Sequence, residues 1–365
     1  MLDASRYEDV DMAAAVQQIE GLRDARERWP SLWACDGYEY PPRLNREQAS
    51  SEAAAAYKAS LAEGSSVADL TGGMGVDTVA FARRGMRVDY VEREAELCSL
   101  MQHNVCALQL DGIRVHHADG MEWIDTVGQQ YDTIYVDPAR RSAHGRKVAA
   151  FEDCQPDLLK YKDRLMRHCG RMLVKASPMI DIAQAERQLG EVAEVHVVSL
   201  RGECKEVLFV CRPEVDDTTV CCRSLDGRGE FLFTAREAAD ARACYCTDLA
   251  AYLFEPDAAL MKSGAFNLVG QRYGMKKLSC NTHLYTSDTL CPAFFGRTFR
   301  VLSRVRRSDI KAVLPEGKAH VVVRNYPAEA SVLQRQLGLR EGGELFVVAT
   351  TVGQHRQLLL CERIV

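Results

Sequence analysis

Apolar and polar positions along this chain change their period several times, and each change marks a different kind of element. Residues Met12 to Arg28 are rich in Ala, Gln, Glu and Arg, good helix formers interrupted by one Gly, and predict a helix. Pro30, Pro41 and Pro42 interrupt the pattern, and a second helix is expected from about Glu47 to Leu61, stopped by Gly64. From Ser66 short β-rich runs alternate with helical ones. Strands are expected at 66–70, 87–92, 113–118, 131–136 and 171–176, with helices at 76–84, 94–110, 156–168 and 178–189. The helix over 94–110 puts Leu97, Leu100, Met101 and Leu108 on one face and ends at Asp111-Gly112. The last two helices each begin at a proline and finish before Gly170 and Gly190. Alternation of this kind specifies an α/β fold, a parallel sheet covered by helices on both faces.

The end of that pattern narrows the architecture. Two β-rich runs, 192–200 and 206–212, are separated only by Arg201 to Lys205. The gap is too short for a crossover helix, so the last strand must turn back antiparallel. A parallel sheet ending in an antiparallel strand is the Rossmann-like class I methyltransferase arrangement, not the dinucleotide-binding one. Residues 214–295 have no readable order. Beyond them, strands are expected at 299–303, 320–324, 344–349 and 357–362, and helices at 308–314 and 327–337. Val352-Gly353-Gln354 joins the final two strands as a hairpin. This β-α-β-α-β-β order predicts an α+β module of ferredoxin-like type. The expected division is therefore an N-terminal helical region (1–62), the α/β domain (63–213), a connecting region (214–295) and the α+β domain (296–365).

Composition adds exclusions. With 365 residues the chain exceeds one ordinary core. No apolar run reaches membrane-spanning length. Met1 to Val10 carries Asp3, Glu8 and Asp9 without a basic-then-apolar run, which argues against a secretory signal. The 14 cysteines include the pair Cys221-Cys222 and Cys244-x-Cys246 but no Cys-x-x-Cys, so no metal site is expected. Many reduced thiols fit a cytoplasmic setting. A net charge of −5 rules out a protein that coats nucleic acid indiscriminately; a nucleic-acid surface must be local. No stable protein partner is implied.

The candidate cofactor site is the loop Asp69-Leu-Thr-Gly72-Gly73-Met-Gly75-Val-Asp77, between the first strand and its helix. Open α/β sheets bind ligands at the carboxyl ends of their strands, and glycines let the backbone approach closely. Acids crowded there would repel a pyrophosphate, so Asp69 and Asp77 point to a cationic or zwitterionic ligand. S-adenosyl-L-methionine, with a sulfonium and an ammonium and no phosphate, fits, and Asp69 is the expected partner of its ammonium. Glu92 closes the second strand, where an acid accepts from ribose hydroxyls. Asp119, followed by Gly120, closes the third, where a carboxylate can accept from an adenine amine. A helix cap is the plainer reading of any one of these acids; their order on successive strands favours the cofactor.

The fourth strand ends in Asp137-Pro138-Ala139-Arg140-Arg141. Methyl transfer asks mainly for alignment and desolvation of the nucleophile. An Asp side chain and a carbonyl fixed by Pro can accept both protons of a planar amine and direct its lone pair. Arg141, Arg146 and Lys147 form a basic cluster suited to phosphate. Farther on, Arg297, Arg300, Arg304, Arg306, Arg307 and Lys311 face only one acid, Asp309, and read as a second basic stripe.

These motifs, with Glu47-Gln-Ala-Ser-Ser-Glu52 ahead of them and Leu253-Phe-Glu-Pro-Asp257 after them, resemble the bacterial methyltransferases that carry a C-terminal THUMP-like domain. More distantly, the catalytic part is similar to the RNA cap guanine-N2 (trimethylguanosine synthase) group. The resemblance implies a class I fold, S-adenosylmethionine and an RNA substrate. It makes Asp69, Gly73, Gly75 and Glu92 cofactor residues and assigns the target amine to Asp137 and Pro138. Amine-methylating enzymes usually follow this Pro with a second Pro and an aromatic ring; here Ala139 and Arg140 stand instead, and an Arg guanidinium can stack on a base. Expected, then, is N-methylation of a guanine-type amine in RNA, with Arg300, Arg304 and Arg306 among the RNA contacts. Two alternatives stay open: methylation of a protein or small molecule, and a non-catalytic RNA-binding protein with a vestigial methyltransferase domain.

Overall fold

The computed structural model describes residues 11–140 and 151–364, with Arg140 and Asp153 described in their backbone alone. The chain divides into two units, Met1–Val195 with Glu206–Asp216, and His196–Lys205 with Asp217–Val365.

The first unit begins with four helices: α1 (Met12–Arg28), α2 (Pro30–Trp33), α3 (Arg43–Gln48) and α4 (Glu52–Leu61). The single helix expected over 47–61 is thus broken between Gln48 and Glu52. Ser51 leaves the helical conformation to cap α4, its side chain accepting from the Ala54 N–H. The neighbouring Ser50 hydroxyl is drawn off to Asp77. The helices are fastened by buried polar groups: Arg46 is 1% exposed and bonds Asp24, Glu20 and the Pro41 carbonyl.

The alternating part follows as β1 (Ser66–Asp69), α5 (Val76–Arg83), β2 (Arg87–Glu92), α6 (Ala95–Leu108), β3 (Ile113–His117), α7 (Gly120–Thr126) and β4 (Tyr131–Val136). Then come a two-residue ladder, β5 (Ala139–Arg140) with β6 (Cys154–Gln155), then α8 (Leu158–Met166), β7 (Cys169–Ala176), α9 (Ile182–Leu189), β8 (Val192–Leu200) and β9 (Glu203–Cys211). Within a nine-stranded sheet these strands run in the order β8-β9-β7-β4-β1-β2-β3, and two later strands continue it beyond β8. β9 pairs antiparallel with β7, as expected, but it slots between β7 and β8 and does not take an edge. Val67, Val88, Tyr90, Ile134, Leu173, Val174 and the run Val207 to Val210 are essentially inaccessible. Near-continuous apolar strands are what a sheet covered on both faces requires.

The second unit takes in His196–Lys205, the end of β8 and the start of β9, and continues with β10 (Thr219–Ser224) and β11 (Glu230–Thr234); the Leu225 N–H beyond β10 bonds the Ser199 carbonyl of this same unit at 2.8 Å. Next come α10 (Ala235–Asp240), β12 (Tyr252–Pro256), α11 (Ala258–Ser263), α12 (Phe266–Arg272), β13 (Lys276–Ser279) and β14 (Thr282–Ser287). The predicted β-α-β-α-β-β succession follows as β15 (Gly296–Val305), α13 (Ile310–Val313), β16 (His320–Val323), α14 (Ala330–Leu337), β17 (Leu345–Val352) and β18 (His355–Arg363). The strands from β12 onward join one seven-stranded sheet, β13-β14-β12-β15-β18-β17-β16. Ile310, Leu314, Leu333 and Leu337 cover one face. The other face, built on Leu253, Leu278, Leu284, Phe299, Leu359 and Cys361, is turned inward because the sheet curls. Its two margins meet through the Gly353 N–H on the Leu278 carbonyl (2.8 Å) and the Asn325 amide on the Thr282 hydroxyl (2.9 Å). Among the described residues no helix is long and apolar enough to cross a membrane.

Candidate active site

The glycine loop is shaped by its own neighbours. Gly73 has φ +53° and Gly75 φ +79°, and Gly75 forms the N-cap of α5. A Cβ on Gly72 would lie 2.2 Å from the Tyr90 ring, whose hydroxyl donates to the Gly73 carbonyl at 2.7 Å. Asp69, at the end of β1, is 1% exposed. Its oxygens accept from the Thr71 N–H (3.1 Å) and the Thr78 hydroxyl (2.5 Å), which braces the loop from within. Burial pushes the Asp69 carboxyl up to about 7, against the pull of the Thr78 hydroxyl.

Glu92, at the end of β2, accepts from the Gly73 N–H at 2.9 Å and from the Arg93 and Glu94 amides at 2.7 and 2.9 Å. Asp119 is exposed and caps α7 through the Met121 and Glu122 amides at 2.8 and 3.3 Å. Gly120 presses on the β1 end so closely that a Cβ there would sit 2.3 Å from the Leu70 carbonyl oxygen. Asp69, Gly72, Gly73, Gly75, Glu92, Asp119 and Gly120 therefore gather at the carboxyl ends of β1, β2 and β3.

Asp137, at the end of β4, is joined to the same loop, its N–H donating to the Thr71 hydroxyl at 2.7 Å. Its Oδ2 accepts from the Lys175 ammonium at 2.5 Å. Burial works to lower the pKa of Lys175, but Asp137, Glu206 and Asp77 outweigh it and hold the ammonium above its ordinary range. Lys175 is therefore a fixed cation and not a base. Pro138 is buried and Ala139 exposed. The Arg140 backbone pairs with Cys154. Arg141, Arg146 and Lys147 lie outside the described residues.

Asp77 departs from its expected role. Its Oδ1 lies 3.2 Å from the Lys58 ammonium, and its Oδ2 accepts from the hydroxyls of Ser50 and Tyr135, both at 2.9 Å. Burial alone would raise its pKa, yet Lys58, Lys175 and those hydroxyls bring it below the usual carboxylate value. Its charge is met inside the protein, so it supports the site from beneath. Lys58 is fully buried, and its ammonium also donates to both Glu206 oxygens at 2.9 Å. Sequence reasoning missed Lys58, Lys175 and Glu206. The available signal was a charged residue inside an apolar run, Lys58 on the alanine-rich α4, Lys175 near the end of β7 and Glu206 ahead of Val207-Leu-Phe-Val. Two ammonium groups against Asp77, Asp137 and Glu206 leave one net negative charge. Glu92, at the end of β2, lies at the same strand ends, and a net negative site suits a cationic ligand.

In the second unit the basic stripe is partly neutralised. Arg300 pairs with Glu362 at 3.4 Å, Arg304 with Asp248, and Arg297 with Glu255 at 2.5 Å. Arg306 is exposed. The local excess is smaller than the count along the sequence, because these acids arrive from other strands and turns.

Comparison with known proteins places this geometry. Residues 252–294 match a family model described as a ferredoxin-like domain, and residues 296–363 one described as THUMP domain-like. An uncharacterized S-adenosylmethionine-dependent methyltransferase of Mycobacterium tuberculosis H37Rv is 27% identical over 317 residues, 84% of this chain and 83% of that protein. A Porphyromonas gingivalis W83 protein of known crystal structure, assigned as a methyltransferase, is 33% identical. The alignment covers 97% of this chain and 90% of that one, with a TM-score of 0.88. The chain belongs to this methyltransferase family. It is an S-adenosylmethionine-dependent methyltransferase with THUMP-like and ferredoxin-like C-terminal parts. The residues present fit that cofactor. Gly73 and Gly75 open the loop backbone, the loop carries acids where a dinucleotide would need room for phosphates, and Glu92 stands at the end of β2.

Proposed function

We propose that this methyltransferase N-methylates a guanine-type exocyclic amine in RNA, with Asp137 and Pro138 holding the amine. The observation that carries the reading is the fixing of Asp137, by Thr71 at its backbone and by Lys175 at Oδ2. Bound S-adenosylmethionine supplies an electrophilic methyl group on a cationic sulfur. Oδ2 is committed to Lys175, so Oδ1 is the atom offered to the amine. The Pro138 carbonyl is the second acceptor, and together they direct the nitrogen lone pair. Asp69, Gly72, Gly73, Gly75, Glu92, Asp119 and Gly120 hold the donor. In this reading Arg140 stacks on the base, and Arg141, Arg146 and Lys147 meet its phosphates. Arg300, Arg304 and Arg306 contribute at the THUMP-like domain, whose family description supports an RNA partner. The 14 cysteines are in the reduced form, which suits a reducing cytoplasm.

A protein or small-molecule substrate is the second reading. It is favoured by the acids that neutralise Arg300 and Arg304. Radiolabelled methyl transfer from S-adenosylmethionine into RNA from a strain lacking this protein separates the two. Label in RNase-sensitive material is expected, and label confined to protein or small molecules would withdraw the RNA reading. Asp137→Ala is expected to abolish transfer while cofactor affinity by calorimetry stays within about two-fold. Retained transfer would relocate the amine site, and cofactor binding without turnover by the wild type would point to a vestigial domain.

A further inference from the structure

The second unit holds an arrangement of charge that the transfer chemistry does not use. On the inward face of its curled sheet Glu255 is 4% exposed, and each of its oxygens holds a guanidinium. Arg297 reaches Oε2 at 2.5 Å and Arg324 reaches Oε1 at 2.5 Å, so the carboxylate is fully engaged. Arg363 shares this face. It stands opposite Phe299 across β15 and β18, and Arg297 is one pleat along β15 from Phe299. Arg297 and Arg363 are thus diagonal neighbours, roughly 7–8 Å apart at Cα.

Among the described residues no carboxylate forms an ion pair with Arg363. Partial burial lowers its pKa first, and the like charges of Arg297 and Arg228 lower it further, against a smaller opposite pull from Glu255. Arg228, in the turn between β10 and β11, is itself paired with Asp226 at 2.6 Å. Four guanidinium groups against Glu255 and Asp226 leave two positive charges in excess. Crowding like charges at a partly desolvated site is unfavourable, and an anion between them would relieve it. Guanidinium forks suit the oxygens of a phosphate better than an ammonium would.

We propose that Arg363, flanked by Arg297 and Arg228, is the seat for a backbone phosphate of the RNA substrate. The site rests on the RNA reading above, and it adds Arg363 to the contacts named there.

The test is fluorescence anisotropy of the full-length protein with a labelled RNA hairpin carrying a single-stranded tail, titrated at several salt concentrations. Arg363→Ala is expected to weaken binding on the order of ten-fold and to reduce the salt slope by about 0.7 to 0.9. Arg363→Lys, which keeps the charge and loses the fork, should fall between. Arg228→Ala, in a surface turn, is a second variant expected to weaken binding in the same direction. Arg335→Ala on α14, also exposed, should change neither quantity. Wild-type affinity and slope in both Arg363→Ala and Arg228→Ala would overturn the seat and leave the RNA reading standing. If the wild type binds no RNA at low salt, the RNA reading fails, and inorganic pyrophosphate decides the seat. A rise in melting temperature lost in Arg363→Ala would sustain an anion site for a free phosphate ester, and no rise would overturn it.

Discussion

At the scale of single residues, the contact that most constrains the chemistry is Lys175 on Asp137. An ion pair of 2.5 Å at the end of β4 fixes the direction of the carboxylate. Lys175→Met is expected to lower kcat by about 10²-fold with S-adenosylmethionine affinity little changed, because a small misplacement of an aligning group has that effect. Steady-state kinetics beside calorimetry checks it, and an unchanged kcat would show that Lys175 does not align Asp137. Asp69 makes a pH prediction. Its carboxyl titrates near 3.9 in an unfolded chain and at about 7 here, so the folded state holds the extra proton between those values. The stability that neutral Asp69 contributes is complete below the lower value and is lost as pH rises to about 7. Binding of an ammonium runs the other way, since it favours the ionised carboxylate. Cofactor affinity should therefore rise with pH through about 7, and Asp69→Asn should flatten that rise in calorimetric titrations. That Asp69, Glu92 and Asp137 stand at strand ends was legible in the sequence because each follows an apolar run within a short motif. Lys58, Lys175 and Glu206 were not, because Lys58 and Glu206 are 148 positions apart and meet only on folding.

At the scale of elements, the loop ends are held by close backbone contacts that leave no room for a side chain. Gly120 opens α7 against the Leu70 carbonyl, a backbone atom that cannot swing aside. Gly120→Ala is expected to destabilise the protein by about 1–3 kcal/mol and to weaken cofactor binding. Denaturant unfolding beside calorimetry checks both, and wild-type values would mean that the β1 and β3 ends are not tightly coupled. The alternating strands and helices were readable because burial on both faces leaves apolar runs bounded by glycine and proline. The break between α3 and α4 was not. Ser50 and Ser51 sit in a stretch of good helix formers, and only the caps and the partner Asp77 explain why the helix stops. The short elements between residues 214 and 295 were equally silent, since strands as brief as Lys276–Ser279 carry little periodicity.

At the scale of the whole molecule, the second unit has its own apolar core, with Leu333 of α14 fully buried in it. Leu333→Ala is expected to cost about 2–5 kcal/mol in denaturant unfolding while S-adenosylmethionine affinity stays unchanged. A loss of cofactor affinity in a folded variant would tie that core to the catalytic one. The sequence by itself determined the alternating α/β order, the terminal hairpin strand, the β-α-β-α-β-β module and the place of the glycine loop after β1. All of these follow from local periodicity, turn chemistry or motifs a few residues long. The tertiary structure alone decided that β9 slots between β7 and β8, that Asp77 answers to Lys58, and that Lys175 fixes Asp137. It alone also set acids against Arg300 and Arg304 while crowding Arg363 beside Arg297. Those are pairings between distant positions, and a charge acquires its partner only when folding brings the strands that carry them side by side.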